Sequence, residues 1–215
     1  SYGIEQIAGA ARENGVALAC VPGDDTPDAD LMGRSTLPAE AVHRIWRYLQ
    51  EGGPDNAGQL LAYADDLLGR TADWREPAPI PRAGLYWPGL DRPDLDAIRA
   101  GWPSPDAPAV PLVFYRALVQ SGQLGPVDAM VEALAARGLG AVPIYVQSLK
   151  EPISAALVSD TLAACPPAVI LNATSFAVSQ PGKAVDGPFA ASDRPVLQVV
   201  FSSGAREAWE NGTRG

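Results

Sequence analysis

The sequence has few of the residues that most often bind metals or carry acid–base catalysis. Its 215 residues include only two cysteines and one histidine. A zinc site needs about four converging Cys, His or carboxylate ligands, so we do not expect one here. Cys20 and Cys165 are far apart, each in or beside an apolar segment. We interpret both as small buried thiols in a reducing compartment.

The chain also lacks clustered positive charge and long apolar runs. Its formal net charge is −9 and its pI about 4.5, which argues against a nucleic-acid partner because phosphate binding needs grouped Lys and Arg. No apolar stretch approaches the roughly 20 residues that span a bilayer. No basic start followed by an apolar segment indicates a signal peptide. We therefore expect a cytoplasmic protein without a membrane partner.

A nucleotide-binding loop is missing from the place where the layout would suggest one. The stretch "VPLVFYRALVQSGQLGPVDAMVEAL" (110–134) combines a buried strand, a loop with glycines and an amphipathic helix. Its loop contains neither Gly-x-Gly-x-x-Gly nor a Lys-Ser/Thr pair after the glycines. Tyr115, Arg116 and Gln120 occupy the mouth instead. We expect no nucleotide at this strand end.

Residues 1–70 predict a partial α/β segment that is mostly helical. An amphipathic helix ending at Gly15 leads into the apolar run "VALACV" (16–21), which predicts a strand buried on both faces. A helix followed by such a strand is the second half of a β-α-β unit, so we expect a segment cut from an upstream domain. Two further helices are predicted at about 38–51 and 54–68. The proline-rich segment 71–82 predicts a linker.

From residue 83 onward, apolar runs alternate with helical stretches. This alternation predicts a five-stranded, parallel, flavodoxin-like doubly wound sheet over about 83–203, within a domain of residues 83–215. The predicted strands are 83–87, 110–115, 141–146, 168–173 and 196–201. The predicted helices lie near 93–100 and at 126–137 and 152–164.

In open parallel sheets, ligands bind beyond the carboxyl ends of the strands. This rule selects a polar rim of hydroxyls, amides, two cations and two aromatic rings, without a carboxylate pair, His or Cys. Such a rim suits a large, planar, multiply anionic or amide-bearing ligand, or a neighbouring domain; its side chains also suit helix caps and turns. The rim comprises Trp87, Tyr115, Arg116, Gln120, Gln147, Ser148, Lys150, Asn172, Thr174, Ser175, Ser179, Ser202 and Ser203.

Two other polar features are interpreted without a functional role. The acidic residues Asp24, Asp25, Asp28 and Asp30 have the oxygen ligands that a hard cation prefers, but not the spacing of an EF-hand. We interpret them as a solvated turn. His43 falls on the polar face of its predicted helix, where we expect an exposed side chain.

Seven blocks, read together, resemble one protein family. They are "VPGDDTPDADL" (21–31), "YLQEGGPDNAGQLL" (48–61), "IPRAGLYWPG" (80–89), the stretch 110–134 quoted above, "VQSLKEP" (146–152), "ILNATSFAVS" (170–179) and "PVLQVV" (195–200). In this order and spacing they resemble the large subunit of the aerobic, ATP-dependent cobaltochelatase, the CobN family, which is related to the large subunit of magnesium chelatase. The resemblance covers nearly the whole chain. Because that subunit is several times longer, it implies an N-terminal fragment.

The resemblance implies a role in metal insertion. The family's large subunit binds the corrin precursor hydrogenobyrinic acid a,c-diamide and hosts insertion of Co²⁺, which is a substrate. A partner AAA+ ATPase and a second chelatase subunit couple ATP hydrolysis to that step. We expect no cofactor in this fragment, no catalytic residue that the resemblance identifies, and no activity of the fragment alone.

The resemblance also suggests roles for the rim. Arg116 suits a carboxylate, Asn172 and Gln198 suit amides, and Trp87 or Tyr115 suits stacking on the ring. With Ser148 and Thr174, these residues form the expected substrate-binding set, and we expect most of them around one cleft. The first alternative is an interaction module that docks other domains or the ATPase without touching the ring. The second is a free-standing flavodoxin-like binding protein, which the missing first strand and phosphate loop disfavour.

Overall fold

The computed structural model describes residues 2–174, 187–202, 204, 207 and 210–212. The chain divides into two compact units. The first comprises Ser1–Ile80 with Gln120–Gly122, and the second Pro81–Val119 with Gln123–Gly215. Within the described residues, no helix combines the length and apolar character needed to cross a membrane.

The first unit is built from helices. They are α1 (Tyr2–Glu13), α2 (Ala29–Met32), α3 (Ala39–Glu51) and α4 (Pro54–Leu67). Tyr48 on α3 and Tyr63 on α4 are buried, and their rings lie 6.2 Å apart. Proline at the first position of α4 suits a helix start, because the amide proton it lacks has no acceptor there.

The predicted strand at 16–21 is wrong. This segment forms no strand in the structure, since side-chain hydroxyls satisfy its backbone. The amide of Leu18 donates to Thr36 Oγ1 at 2.7 Å, and the amide of Cys20 donates to Ser35 Oγ at 2.8 Å. The apolar run therefore lies against a loop that supplies hydroxyl groups, and not beside another strand.

The proline-rich segment is part of the first unit up to Ile80. The buried amide of Asn56 donates to Ala78 O at 2.8 Å and accepts from Ala78 N at 3.0 Å. Tyr48 donates its hydroxyl to Arg75 O. Segment 71–80 thus has specific bonds to α3 and α4.

The second unit contains the expected five-stranded sheet. Its strands are β1 (Ala83–Leu85), β2 (Ala109–Tyr115), β3 (Gly140–Val146), β4 (Ile170–Asn172) and β5 (Val196–Gln198), in the order β1-β3-β2-β4-β5. Its helices are α5 (Leu95–Ala100), α6 (Arg116–Ser121), α7 (Gly125–Ala135) and α8 (Pro152–Ala164), with a 3₁₀ helix at Ala190–Ser192. The last two residues of α6 belong to the first unit.

The prediction that all five strands are parallel is wrong for β1. Strands β2 to β5 are parallel, but β1 runs antiparallel to β3, with Ala83 opposite Val146 and Leu85 opposite Ile144. An apolar run predicts a strand without fixing its direction. Strand β1 lies at the edge of the sheet, and because it is antiparallel to β3 its carboxyl end points the opposite way from those of the other four strands.

Helices cover both faces of the sheet. On one face, Val113 and Ile144 pack with Val158 of α8 in a single buried cluster. On the other, Phe114 lies edge-on to the ring of Tyr86, whose hydroxyl donates to Asp128 on α7 at 2.6 Å. The central strands are therefore buried on both sides, which explains their nearly continuous apolar sequence.

Candidate functional site

The connections of the parallel strands diverge between β2 and β4. These strands are neighbours, but the chain leaves β2 for β3 on one side and leaves β4 for β5 on the other. Ligands of open α/β sheets bind outside the carboxyl ends of the strands at such a switch point. A ligand site is therefore expected at the β2–β4 junction.

A pocket of about 620 Å³ lies at this junction, and we call it the switch-point pocket. Residues from the ends of β2, β4 and β5 line it, and Tyr115 and Gln198 supply the polar side chains. Of the described residues that line it, none is charged. The lining comprises Tyr115, Ala117, Leu118, Ala173, Gln198, Val199, Val200 and Phe201.

Behind the pocket wall, three predicted residues form a closed hydrogen-bond network. Asn172, which is 2% exposed, donates from Nδ2 to Gln198 Oε1 at 3.1 Å. Its Oδ1 accepts from the amide and the hydroxyl of Thr174 at 3.1 and 2.7 Å. Gln198 Nε2 donates to Thr174 O at 2.7 Å, which closes the ring.

This network holds the pocket wall in place and leaves little polar capacity for a ligand. The side-chain oxygens of Asn172 and Gln198 already accept hydrogen bonds. Among the described residues, no buried side-chain nitrogen or oxygen lacks a hydrogen-bond partner. Asn172 and Thr174 are both 2% exposed, so Gln198 is the member of the network that reaches the pocket.

Trp87 does not lie at this edge of the sheet, contrary to the expectation of one shared cleft. Because β1 is antiparallel, the chain after Leu85 runs towards the amino end of β3, and Tyr86 N bonds to Pro143 O. The Trp87 ring packs against Gly101, where a Cβ would collide with it. Trp87 fills space beside α5, away from the carboxyl ends of β2 and β4.

Arg116 and Ser148 make local contacts. Neither lines the switch-point pocket. Arg116 Nε donates to Pro81 O at 3.0 Å. Ser148 Oγ accepts from the amide of Lys150 at 3.2 Å, and Ser148 O accepts from the amide of Glu151, which forms the turn before α8.

The remaining rim residues are dispersed. Gln120 belongs to the first unit, where Nε2 donates to Gln50 O at 3.3 Å and Glu51 O at 3.2 Å. Ser202 is exposed and its Oγ accepts from Gly204 N. Gln147 and Lys150 are exposed. Ser175, Ser179 and Ser203 lie outside the described residues.

An ion pair that was not predicted from the sequence lies near the carboxyl end of β3. Arg82 Nη1 donates to Glu151 Oε1 at 2.7 Å, and Ser154 Oγ donates to Glu151 Oε2 at 2.9 Å. The bond from Arg82 is the main cause that lowers the pKa of Glu151; Ser154 and the charge of Arg116 act in the same direction. Arg82 and Glu151 are 69 residues apart, so sequence pattern gave no signal of this pair.

The acidic loop forms turns, as interpreted from the sequence. Asp24 Oδ1 accepts from the amide of Thr26 at 3.0 Å, and Asp28 Oδ1 caps α2 by accepting from the amide of Leu31 at 2.9 Å. In the part of the chain that the structure describes, no three His, Cys, Asp or Glu residues are grouped to hold a metal ion. His43 is exposed, as expected.

Residues 46–215 match the family model described as CobN/Magnesium Chelatase. The aerobic cobaltochelatase subunit CobN of Sinorhizobium sp is 39% identical over 226 residues, covering 100% of this chain and 17% of that protein. The protein of the same name from Pseudomonas aeruginosa is 41% identical over 215 residues, with the same two coverages. The chain therefore spans about a sixth of the length of these relatives.

A solved structure has a similar fold. The catalytic subunit of cobaltochelatase from Mycobacterium tuberculosis superposes with a TM-score of 0.73 at 27% sequence identity. The match covers 97% of this chain and 17% of that one. The likeness includes both compact units, since it extends over almost every residue.

Proposed function

The chain belongs to the CobN/Magnesium Chelatase family, and from this membership we propose that it forms part of a cobaltochelatase large subunit. That subunit inserts Co²⁺ into hydrogenobyrinic acid a,c-diamide during cobalamin biosynthesis. An AAA+ ATPase and a second chelatase subunit drive the step by ATP hydrolysis, in the cytoplasm. Support comes from two relatives named as aerobic cobaltochelatase subunits, at 39 and 41% identity over the whole chain.

Within that subunit, this chain contributes to binding the tetrapyrrole. The observation that carries this assignment is the position of the switch-point pocket, at the divergence of β2 and β4, where open α/β sheets bind ligands. The pocket's volume of about 620 Å³ lies within the range of small-molecule sites, roughly 300–1,000 Å³. The corrin acid extends beyond its ring through acid and amide side chains on every side, so we assign only part of it to this pocket.

We assign no proton transfer or metal ligation to the described residues. Metal insertion needs a base that accepts the proton displaced from the ring nitrogens. Glu151 accepts hydrogen bonds from Arg82 and Ser154, and Asp128 accepts a hydrogen bond from the Tyr86 hydroxyl. Neither carboxylate lines the pocket. The chain's part in the reaction is therefore to hold the ring.

The proposal includes a flavodoxin-like ancestry for the parallel strands. Numbered from β2, the order β3-β2-β4-β5 is 2-1-3-4, which agrees with the first four strands of the flavodoxin-like order 2-1-3-4-5. In this view β1 is an addition at the outer edge, which accounts for its opposite direction. The flavin site of that fold lies at the equivalent switch point.

A titration tests the binding role. The protein in its natural full length is mixed with hydrogenobyrinic acid a,c-diamide, and the visible and Soret-region absorbance is followed to saturation. We expect a saturable spectral shift, which a linear tetrapyrrole of similar mass and charge fails to produce. An unchanged corrin spectrum across the titration would contradict the proposal.

A second candidate is a docking surface for another domain or for the ATPase subunit. It is favoured by the edge strand β5, where Val196 is 42% and Leu197 is 53% exposed. Exposed apolar side chains on an edge strand suit pairing with another polypeptide. In this case Leu197→Asp would abolish co-elution with the ATPase subunit in size-exclusion chromatography and leave corrin binding intact. Loss of corrin binding with retained co-elution would refute this candidate.

A further inference from the structure

We propose that the switch-point pocket receives an uncharged, apolar part of the tetrapyrrole and keeps the ring's carboxylates outside. The inference rests on the proposed function and names the chemistry of the contact. It reverses the sequence-based expectation that Arg116 provides a carboxylate site at this strand end. Three observations carry it: the lining, the state of the polar groups beside it, and the position of the nearby cations.

The lining is apolar over most of its surface. Val199, Val200 and Phe201 follow β5, Ala117 and Leu118 belong to α6, and Ala173 follows β4. Methyl, methylene and ring carbon atoms of a ligand lose contact with water on entering such a pocket, which favours their binding. The lining has the composition that suits the hydrocarbon edge of a ring.

The one amide in the lining is already engaged. Gln198 Oε1 accepts from Asn172, and Gln198 Nε2 donates to Thr174 O and, weakly, to Val199 O at 3.4 Å. A ligand carboxylate would need donors of its own to offset the loss of hydration. The short bonds to Asn172 and Thr174 fix the orientation of the Gln198 side chain and use its oxygen and one of its two amide protons.

Among the described residues, no cation lines the pocket. Arg116 directs Nε to Pro81 O, and Arg82 is paired with Glu151. The chain as a whole carries a net charge of −9, so its average field also opposes the approach of an anion. A buried carboxylate without a cationic partner is strongly disfavoured. The pocket is therefore selective for uncharged groups.

Val200 offers a direct test because it lines the pocket and is 84% exposed. An exposed position accepts either charge without disturbing the core. The test compares Val200→Asp with Val200→Lys, each against the same substitution at Val196. Val196 is the first residue of β5, whereas Val200 follows that strand; Val196 is 42% exposed and does not line the pocket. Circular dichroism and melting temperature establish that all four variants fold.

The ligands are hydrogenobyrinic acid a,c-diamide and its uncharged methyl ester, and the dissociation constants come from absorbance titrations of the full-length protein. We expect both charges at Val200 to weaken binding of the ester by about tenfold or more, because either one must be desolvated against apolar groups. Both charges at Val196 are expected to change it by no more than about twofold.

The outcomes separate this inference from the proposed function. If Val200→Lys tightens binding of the acid while Val200→Asp weakens it, an anionic group occupies the pocket and the inference is wrong. If neither variant changes the binding of either ligand, the ring does not contact the pocket. The inference and the assignment of ring binding to this pocket then fail, while the chain's place in a cobaltochelatase large subunit stands, because it rests on the family membership. If the unmodified protein binds neither ligand, the proposed function fails and this inference with it.

Discussion

Asn172 on β4 and Gln198 on β5 are direct partners in parallel register, and the amide of Asn172 donates to Gln198 Oε1 across the two strands at 3.1 Å. Parallel pairing at a sheet edge is usually supported by apolar side chains. Here a buried amide takes that place and joins the backbone of Thr174 to both strands. The geometry of the strand ends therefore depends on a polar group within an otherwise apolar region.

The first prediction concerns this amide. Asn172→Ala should lower the free energy of unfolding by about 1–3 kcal/mol, because it leaves the buried amide of Thr174 and the Gln198 side chain without their partner. Urea unfolding measures the loss. Gln198→Ala, at an exposed position, should cost less. If Gln198→Ala lowers the free energy of unfolding as much as Asn172→Ala or more, the network is not centred on Asn172.

The second prediction concerns the packing of Trp87. Gly101→Ala should destabilise the protein by about 1–3 kcal/mol and shift the tryptophan emission, because the new Cβ would collide with the Trp87 ring. Gly101 has a φ of −88°, so backbone strain adds nothing. Gly125→Ala is the matched control, since nothing lies within 4 Å of its Cβ position. If Gly125→Ala loses as much stability as Gly101→Ala, the collision with Trp87 is not the cause.

The third prediction is a pH dependence. Since its folded-state pKa is lowered, chiefly by Arg82, Glu151 contributes stability above the usual carboxyl value of 4.5, and the contribution is lost as pH falls through the lowered pKa. Arg82→Gln should move the Glu151 titration, followed by NMR, to higher pH. The difference in unfolding free energy between the unmodified protein and Arg82→Gln should become smaller as the pH is lowered. A Glu151 titration that is the same in both proteins would disprove the role of Arg82.

The fourth prediction separates anchoring from binding at Arg116. Because its guanidinium donates to Pro81 O, Arg116→Ala should lower stability by about 1 kcal/mol and leave corrin affinity unchanged. Differential scanning calorimetry and the absorbance titration measure the two quantities. Lys150→Ala removes a positive charge from an exposed position and serves as the control. A specific affinity loss in Arg116→Ala alone would restore the carboxylate role.

The fifth prediction concerns activity. A polypeptide of residues 1–215 should insert no Co²⁺ into the corrin acid, even with the partner subunits and ATP, because the described residues offer no assigned base and no grouped metal ligands. The visible spectrum of the cobalt corrin is the readout, and the full-length subunit with the same partners is the positive control. Measurable insertion by the polypeptide would overturn the assignment of this chain to binding alone.

Long, strongly patterned elements were predictable from the sequence. Helix α8 occupies the predicted residues 152–164, and β2 and β3 each begin one residue before the predicted start. Their apolar periodicity and proline and glycine boundaries determine them locally. The direction of β1 was not predictable, because its three residues gain their orientation only from the edge of β3. The strand predicted at 16–21 was wrong for a similar reason: the hydroxyl groups of Ser35 and Thr36 accept hydrogen bonds from two of its backbone amides, and these partners are not visible in the local pattern.

The site was predictable in part. The rule for strand ends selected Tyr115 after β2 and Asn172 and Thr174 at the end of β4, and these two strands are adjacent and parallel. Their role in substrate binding stays a prediction. The rule failed for Trp87, whose strand runs the other way. It also missed α6, which follows β2 without an intervening turn and places Ala117 and Leu118 in the pocket lining. Apolar residues that line a pocket have the same side chains as core residues, so a sequence alone does not distinguish the two.

The pairing of β1 with β3 constrains the order in which the sheet assembles. Leu85 meets Ile144 about sixty residues further along the chain, whereas β2 and β3 are joined by a much shorter connection. During synthesis, β1 leaves the ribosome first but has no partner until β3 has emerged, and β3 is itself aligned by β2. We therefore expect β1 to be the last of these three strands to gain protection from hydrogen exchange, although it is the first of them to be translated.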